Sequence, residues 1–301
     1  MHMNISIKHV DAFTDTPLQG NPAAVVLHAE GLTDAMMQGI AQEMALSETA
    51  YLLPPTATGA DLRLRWFTPS NEVPLCGHAT IATFHAVAEE RLHGTGEQVR
   101  RMFRVETRSG ILPVAVQQET TGATVHFGLP VSHFQQGHHH RDAILSMLSL
   151  HGHELDPVLP ILVDKYLYVP VVDRRVLFGV HPDYSAVDAF QRRHQIGGIC
   201  VFTTDTVDRE SAVHSRFFCP ADGINEDPVT GSANGPLGVY LFEQALVKTH
   251  GESVSIIGEQ GDAIGRRGRV KITLDIAGGN VSKVEISGRA VTVFTTEMRV
   301  R

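Results

Sequence analysis

One five-residue pattern occurs twice in this chain, about half its length apart, and it limits the possible folds more than any single segment does. Arg65-Trp66-Phe67-Thr68-Pro69 and Arg216-Phe217-Phe218-Cys219-Pro220 both read Arg-aromatic-Phe-x-Pro at the end of an extended segment. Each is followed by a short polar loop and then by a Gly that opens an apolar run. In the first half the loop ends at Cys76 and leads into Gly77-His78-Ala79-Thr80; in the second it ends at Thr230 and leads into Gly231-Ser232-Ala233-Asn234. The Arg residues (65 and 216) are 151 positions apart and the Gly residues (77 and 231) 154, in a chain of 301 residues. The same order of strand, Pro, polar loop, Gly and helix in both halves predicts a duplicated fold.

Local patterning agrees with this. Strand-like runs cover residues 5–10, 24–27, 49–53, 62–67, 98–105 and 111–116, and 124–127 opens the second half. Further strands are expected over 166–169, 199–203, 213–218, 270–274, 284–287 and 290–294. Helices are expected over Thr33 to Leu46, Ala79 to Arg91, 142–150 and Gly235 to Lys248. The run from Ala79 to Arg91 is apolar on most sides, and a helix of that kind must be surrounded by other structure. The expectation is an α+β chain of two pseudo-symmetric domains, each a curled, mostly antiparallel sheet around a central helix. The halves are set at 1–119 and 120–288, with the strand of about 289–301 returning to the first.

Bulk properties exclude several functions. Hydrophobic residues at 43% and charged residues at 19% describe an ordinary globular chain. The net charge of -8 without a long basic block disfavours nucleic acid, whose affinity comes from clustered Lys and Arg. Gly265-Arg266-Arg267-Gly268-Arg269 reads as a turn entering a strand. No apolar run approaches the roughly 20 residues needed to cross a bilayer, and the N-terminal residues lack signal-peptide features, so a cytoplasmic protein without a membrane partner is expected. Cys76, Cys200 and Cys219 are too dispersed for a disulfide framework or a paired zinc site. The clusters His138-His139-His140 and His151-Gly152-His153 read as solvated loop, and no metal site is expected.

The residues able to do chemistry gather at the two Gly-started helices. A helix start presents unpaired N–H groups and a positive dipole end, and Gly lets a small anion such as a carboxylate approach them. His78 lies in the first turn, where the dipole disfavours imidazolium, so a neutral ring is expected. Asp227 and Ser232 flank the second start, although a first-turn His, an acidic residue and a capping Ser look the same in sequence. Glu48 lies between an apolar helix and an apolar strand, where desolvation is expected to raise its pKa towards a range useful for acid–base work. There is no dinucleotide fingerprint, phosphate loop or nucleophile elbow. The chemistry expected is proton movement by side chains, with backbone N–H groups stabilising charge.

The motifs now in view resemble the PhzF-like isomerases of the diaminopimelate-epimerase fold. The match runs through Val10-Asp11-Ala12-Phe13-Thr14, Gln19-Gly20-Asn21-Pro22-Ala23-Ala24-Val25, Ser47-Glu48-Thr49-Ala50, Phe67-Thr68-Pro69 with Cys76-Gly77-His78-Ala79-Thr80, and Glu226-Asp227-Pro228-Val229-Thr230-Gly231-Ser232-Ala233. It continues through Glu259-Gln260-Gly261 and Ser287-Gly288-Arg289-Ala290-Val291. The resemblance implies a homodimer with a cleft between the two halves of each chain, isomerising a small cyclic carboxylate without metal or organic cofactor. It assigns Glu48 as the acid/base, with His78, Asp227 and Ser232 assisting as catalytic residues. Asn21, Cys76, Gly77, Thr230 and Gly231 would contact substrate, the N–H groups at Gly77, His78, Gly231 and Ser232 holding its carboxylate. Two-thiol epimerases of the same fold need a Cys before each helix-start Gly. This chain has Cys76 but Thr230, so a thiol-assisted epimerase is the alternative, and a non-catalytic carboxylate-binding protein a further one.

Overall fold

The computed structural model describes residues 3–96, 99–249 and 251–300, apart from the side chain of His139. The chain divides into two compact units, Met1–Gly128 with Glu285–Arg301, and Leu129–Val284. The sequence set these divisions at 119/120 and near 288/289. The strand expected to open the second half instead completes a hairpin of the first, with Val125 opposite Val116.

Unit 1 contains β1 (Met3–Ala12), β2 (Asn21–Val26), α1 (Asp34–Met44), β3 (Thr49–Leu53), β4 (Leu62–Phe67), β5 (Glu72–Val73), α2 (Gly77–Glu89), β6 (Arg100–Thr107), β7 (Gly110–Glu119) and β8 (Gly122–Leu129). β2 and β3 pair in parallel, β3 and β4 antiparallel, β4 and β5 antiparallel, and β4 and β6 in parallel before the β6–β7–β8 hairpins. Of the strand expected over 98–105, Gln98 lies outside the described residues.

Unit 2 contains β9 (Gln135–Gln136), α3 (Arg141–Met147), β10 (Leu162–Val163), β11 (Leu167–Pro170), α4 (Arg174–Gly179), α5 (Tyr184–His194), β12 (Ile199–Thr203), β13 (Val213–Cys219), β14 (Ile224–Asp227), α6 (Gly231–Glu243), β15 (Ser253–Gln260), β16 (Gly268–Ala277) and the first part of β17 (Asn280–Gly288), whose residues from Glu285 on belong to unit 1. Its pairings repeat those of unit 1: β11–β12 parallel, β12–β13 and β13–β14 antiparallel, β13–β15 parallel, β15–β16 antiparallel. The last strand, β18 (Ala290–Val300), runs antiparallel along β1 of unit 1. The sequence repeat is therefore a repeat of topology, and the fold is the sheet-dominated α+β class expected.

Burial explains the strand composition. β2 and β3 are covered on both faces, so they read as nearly continuous apolar runs instead of alternating ones. Ala24, Val26 and Tyr51 pack with Met37, Ile40 and Ala41 of α1. That helix is capped by Thr33, which accepts from the Met36 N–H, and it ends at Ala45 in the left-handed region. α2 is buried from His78 through Thr83 and at Phe84, Ala86, Val87 and Ala88. In unit 2, α3, α4 and α5 share one apolar cluster with β11, β12 and β13 through residues such as Ile144, Leu177, Phe190 and Val201.

Three local readings need correction. The second central helix begins at Gly231 and ends at Glu243, not at Gly235 and Lys248, because Pro236 sits within its second turn. Having no N–H, Pro236 costs one helical bond but does not stop a helix this tightly enclosed. α5 was not anticipated, although Asp183 caps it and Val187, Phe190 and Gln191 form its buried stripe. β15 was also missed because Gly258 interrupts its pattern. A Cβ at Gly258 would collide with Asn234 Oδ1, so the glycine marks the close approach of α6 to this strand. No helix among the described residues is long and apolar enough to cross a membrane.

Candidate active site

In unit 1 the Gly-started helix brings three ionisable side chains together. Glu48 precedes β3, and its carbonyl accepts from the Ala24 N–H of β2, which fixes it against the sheet. Cys76 has extended backbone at the N-cap of α2 and its side chain makes no cap hydrogen bond. His78 follows in the first turn. Its Nε2 lies 3.2 Å from Glu48 Oε2 and 3.2 Å from Ser47 Oγ, and its Nδ1 lies 3.5 Å from Cys76 Sγ. All three are buried, with Glu48 9%, Cys76 7% and His78 6% exposed.

Mutual charge overturns two expectations. Burial pushes the Glu48 carboxyl up, but the charge of His78 beside it, helped by the neighbouring Ser47 and Cys76, takes it below the usual carboxylate range. For His78, burial and the helix dipole both disfavour imidazolium. The neighbouring Cys76 and Glu48 outweigh them and raise its pKa well above the ordinary value. The carboxylate 3.2 Å away is the cause that counts at neutral pH, since burial, followed by the charge of Glu48, pushes the Cys76 thiol up to about 11 and keeps it protonated. The resting state is therefore Glu48 carboxylate, His78 imidazolium and Cys76 thiol. Oε2 of Glu48, though close to His78, has no aligned hydrogen-bond donor in the protein, so it has capacity to accept a proton.

Glu48, Cys76 and His78 also form the one group of three metal-capable side chains found among the described residues. Sulfur lies nearer Nδ1 (3.5 Å) than Nε2 (4.0 Å), whereas the carboxylate addresses Nε2. Nε2 nevertheless has both the sulfur and the carboxylate oxygen within the 4.8 Å that joins the three ligand atoms, so the trio has the donor set of a metal site as well as that of an acid–base cluster.

In unit 2, Asp227 ends β14 and is buried, and Thr230 is the N-cap of α6. The Thr230 hydroxyl does not cap the helix; it donates to Asp227 Oδ2 at 2.5 Å. Ser232, in the first turn, shares a 2.9 Å hydrogen bond with the Tyr166 hydroxyl. Gln260, at the end of β15, accepts from the Thr230 N–H and donates to the Asp227 carbonyl. Asp227, Thr230, Gly231 and Ser232 are thus neighbours. Ser47, Tyr166 and Gln260 join these clusters without having been singled out. Ser47 and Gln260 lay inside quoted motifs, whereas Tyr166 gave no signal except its aromatic place at a strand start.

The remaining candidates fall into place within their own units. Asn21 is fully buried at the start of β2, opposite Ala12. Gly20 before it has φ 65°, and a Cβ there would collide with the Ala12 carbonyl, which accounts for the Gly-Asn-Pro run. His151 and His153 are exposed and stacked at 5.7 Å. His140 packs its ring 5.1 Å from Phe190, so it is less solvated than expected. Arg267 and Arg269 of that basic turn pair with Asp208 and Asp262.

Comparison with known proteins gives a consistent result. Residues 10–296 match the family model described as phenazine biosynthesis-like protein. The chain is 34% identical over 304 residues to an uncharacterized isomerase of Clostridium acetobutylicum, covering 97% of both chains. It is 34% identical over 290 residues to the trans-2,3-dihydro-3-hydroxyanthranilate isomerase of Pseudomonas aeruginosa, covering 93% of this chain and 94% of that one. The crystal structure of a PhzF-family phenazine biosynthesis protein from Bacillus anthracis superposes with a TM-score of 0.90 at 30% identity, over 99% of this chain and all of the other. A hydroxyproline epimerase from Agrobacterium vitis shares the fold at a TM-score of 0.62 and 13% identity, over 99% and 93% of the two chains.

Proposed function

The chain belongs to the phenazine biosynthesis-like family of isomerases, and on that premise we propose that it moves a carbon-bound proton on a small cyclic carboxylate, with Glu48 as acid and base. The observation that carries this reading is the buried Glu48–His78 pair, 3.2 Å apart, with an undonated carboxylate oxygen. Glu48 takes the proton from one carbon as the C–H pair moves into the conjugated system. It returns the proton to another carbon, so atoms and electrons balance within the substrate and no oxidant or organic cofactor is required. His78 keeps Glu48 ionised between turnovers.

The rest of the reading follows the sequence motifs. Asp227 and Ser232 assist the proton transfer, and Asn21, Cys76, Gly77, Thr230 and Gly231 contact substrate. N–H groups at the open helix starts receive the substrate carboxylate. The P. aeruginosa relative supplies the first compound to try, trans-2,3-dihydro-3-hydroxyanthranilate. A cytoplasmic homodimer belongs to the same proposal, and light scattering at micromolar concentration tests the dimer.

The decisive experiment is deuterium wash-in. Wild type in heavy water should introduce deuterium at carbon, and Glu48→Gln should slow this by about 10²–10⁴-fold, the range for loss of a positioned general base. Equal wash-in by both proteins removes Glu48 from the chemistry.

The contact of Cys76 Sγ with His78 at 3.5 Å favours one second reading, in which the protonated thiol delivers a proton as acid. The position matching Cys76 in the repeat is Thr230, so an alternating two-thiol epimerisation has no second thiol at that position.

A further inference from the structure

We infer that Gln260 is the positioning residue of the second helix start, where its amide holds the Thr230 hydroxyl directed at Asp227. This rests on the reading that Asp227 acts on substrate. A primary amide has two N–H donors and two acceptor lone pairs, and the buried Gln260 uses all four. Oε1 accepts from the Thr230 N–H at 3.0 Å and from Asn234 Nδ2 at 2.9 Å. Nε2 donates to the Asp227 carbonyl at 2.8 Å and to Thr230 Oγ1 at 3.0 Å. One side chain thus ties together the end of β14, the N-cap and the first turn of α6.

The direction of the Thr230 hydroxyl follows from this. It has a single proton, and Gln260 already donates into its oxygen. The proton therefore goes to Asp227 Oδ2, at a distance of 2.5 Å typical of a charge-assisted bond. A Thr at this position would otherwise cap α6. Diverting it orients the carboxylate and leaves the helix start open to an anion.

The repeat shows that the fold itself does not demand this arrangement. Register equates Glu259 with Glu106, opposite His214 and Arg63 respectively, so Thr107 occupies the place of Gln260. Thr107 is the half-buried last residue of β6, where its hydroxyl donates to the carbonyl of Gly110 across the hairpin. Unit 1 builds the same topology without the staple, so Gln260 serves the second helix start specifically.

The test compares full-length wild type with Gln260→Met, which removes all four bonds, and Gln260→Glu, which keeps the acceptors and loses the donors. In amide hydrogen exchange, Gln260→Met should expose the Thr230 N–H about tenfold or more, with β13 unchanged. Unchanged exchange at Thr230, or uniform acceleration through unit 2, overturns the inference. Gln260→Glu should keep Thr230 protected. With trans-2,3-dihydro-3-hydroxyanthranilate as probe, both variants should lose about tenfold or more in kcat with KM within about twofold. Retained kcat in both overturns the positioning role. Asp227→Asn separates the two claims: wild-type turnover by that variant removes the parent reading, while the exchange pattern still decides whether Gln260 fixes the helix start.

Discussion

His78 presents its two ring nitrogens to different partners, Nδ1 to a thiol and Nε2 to a carboxylate, and the charge of the whole cluster turns on this. The place of the residue in the first turn of α2 was legible from the sequence. Its charge was not, because the deciding neighbour, Glu48, lies 30 positions earlier and on a different element. The same blindness affected Glu48: desolvation was legible from its apolar flanks, while the stronger effect of His78 was not. A pH dependence follows, with a definite sign. In wild type the Glu48 carboxylate persists below the usual carboxylate range, so deuterium exchange should hold up well into acid. In His78→Gln the charge is gone and burial prevails, which raises the Glu48 pKa and moves the acid limb of the exchange rate to higher pH. A limb that stays in place would show that His78 does not set the ionisation of Glu48. Cys76→Ala probes the other side of the ring. With the thiol pushed up to about 11, it is no nucleophile at neutral pH, and exchange should remain within about threefold of wild type. A loss as large as that of Glu48→Gln would instead make the thiol a required acid.

The Arg-aromatic-Phe-x-Pro pattern turns out to mark a clamp at the level of elements. Arg65 of β4 makes paired hydrogen bonds to Glu72 of β5, and Arg216 of β13 makes them to Glu226 of β14. Each guanidinium also lies 5.0 Å from the ring of the Phe two residues on. The clamp holds the short strand that leads towards the helix start, which gives the motif a physical reason in both halves. Each has a further partner: Arg65 Nη1 donates to Asp34 Oδ1 at the start of α1, and Arg216 Nη1 donates to the Leu177 and Val180 carbonyls at the end of α4. Removing one member of such a buried pair leaves the other charge uncompensated. Arg216→Met should therefore cost about 3–5 kcal/mol, read as a lower urea midpoint with an unchanged slope. Arg216→Met combined with Glu226→Met should recover part of the loss; if the double variant is the less stable one, the clamp is not acting as a pair. The sequence showed the Arg residues but not their partners, since the loops holding Glu72 and Glu226 differ in length. It showed the strands with strong apolar runs well, and missed β15 and α5, whose signals are broken by Gly258 or carried mainly by a cap.

At the scale of the whole molecule, duplication provides the scaffold, and the residues proposed to do the chemistry sit where the two halves depart from it. Glu106 and Glu259 occupy the same register position, and each holds the loop before the strand it pairs with. Glu106 accepts from the Thr56 and Ala57 N–H groups, and Glu259 from those of Val207 and Asp208. This much of the repeat is structural, and it predicts how the molecule meets acid. Burial opposes ionisation of Glu259, but the His214 ring nitrogen 2.8 Å away, the two backbone N–H groups and the charge of Arg269 lower its pKa to about 2 from an ordinary 4.5. Because the folded value lies below the unfolded one, the stabilisation is complete above the ordinary value and is lost as pH falls towards the folded one. Between pH 7 and about pH 3 this single group should remove on the order of 2 kcal/mol. Urea unfolding of Glu259→Gln at those two pH values is the measurement. The variant should be the less stable protein at neutral pH, and the gap to wild type should narrow by about that amount in acid. A gap of constant width would mean that Glu259 anchors its loop by shape alone, without a contribution from its charge.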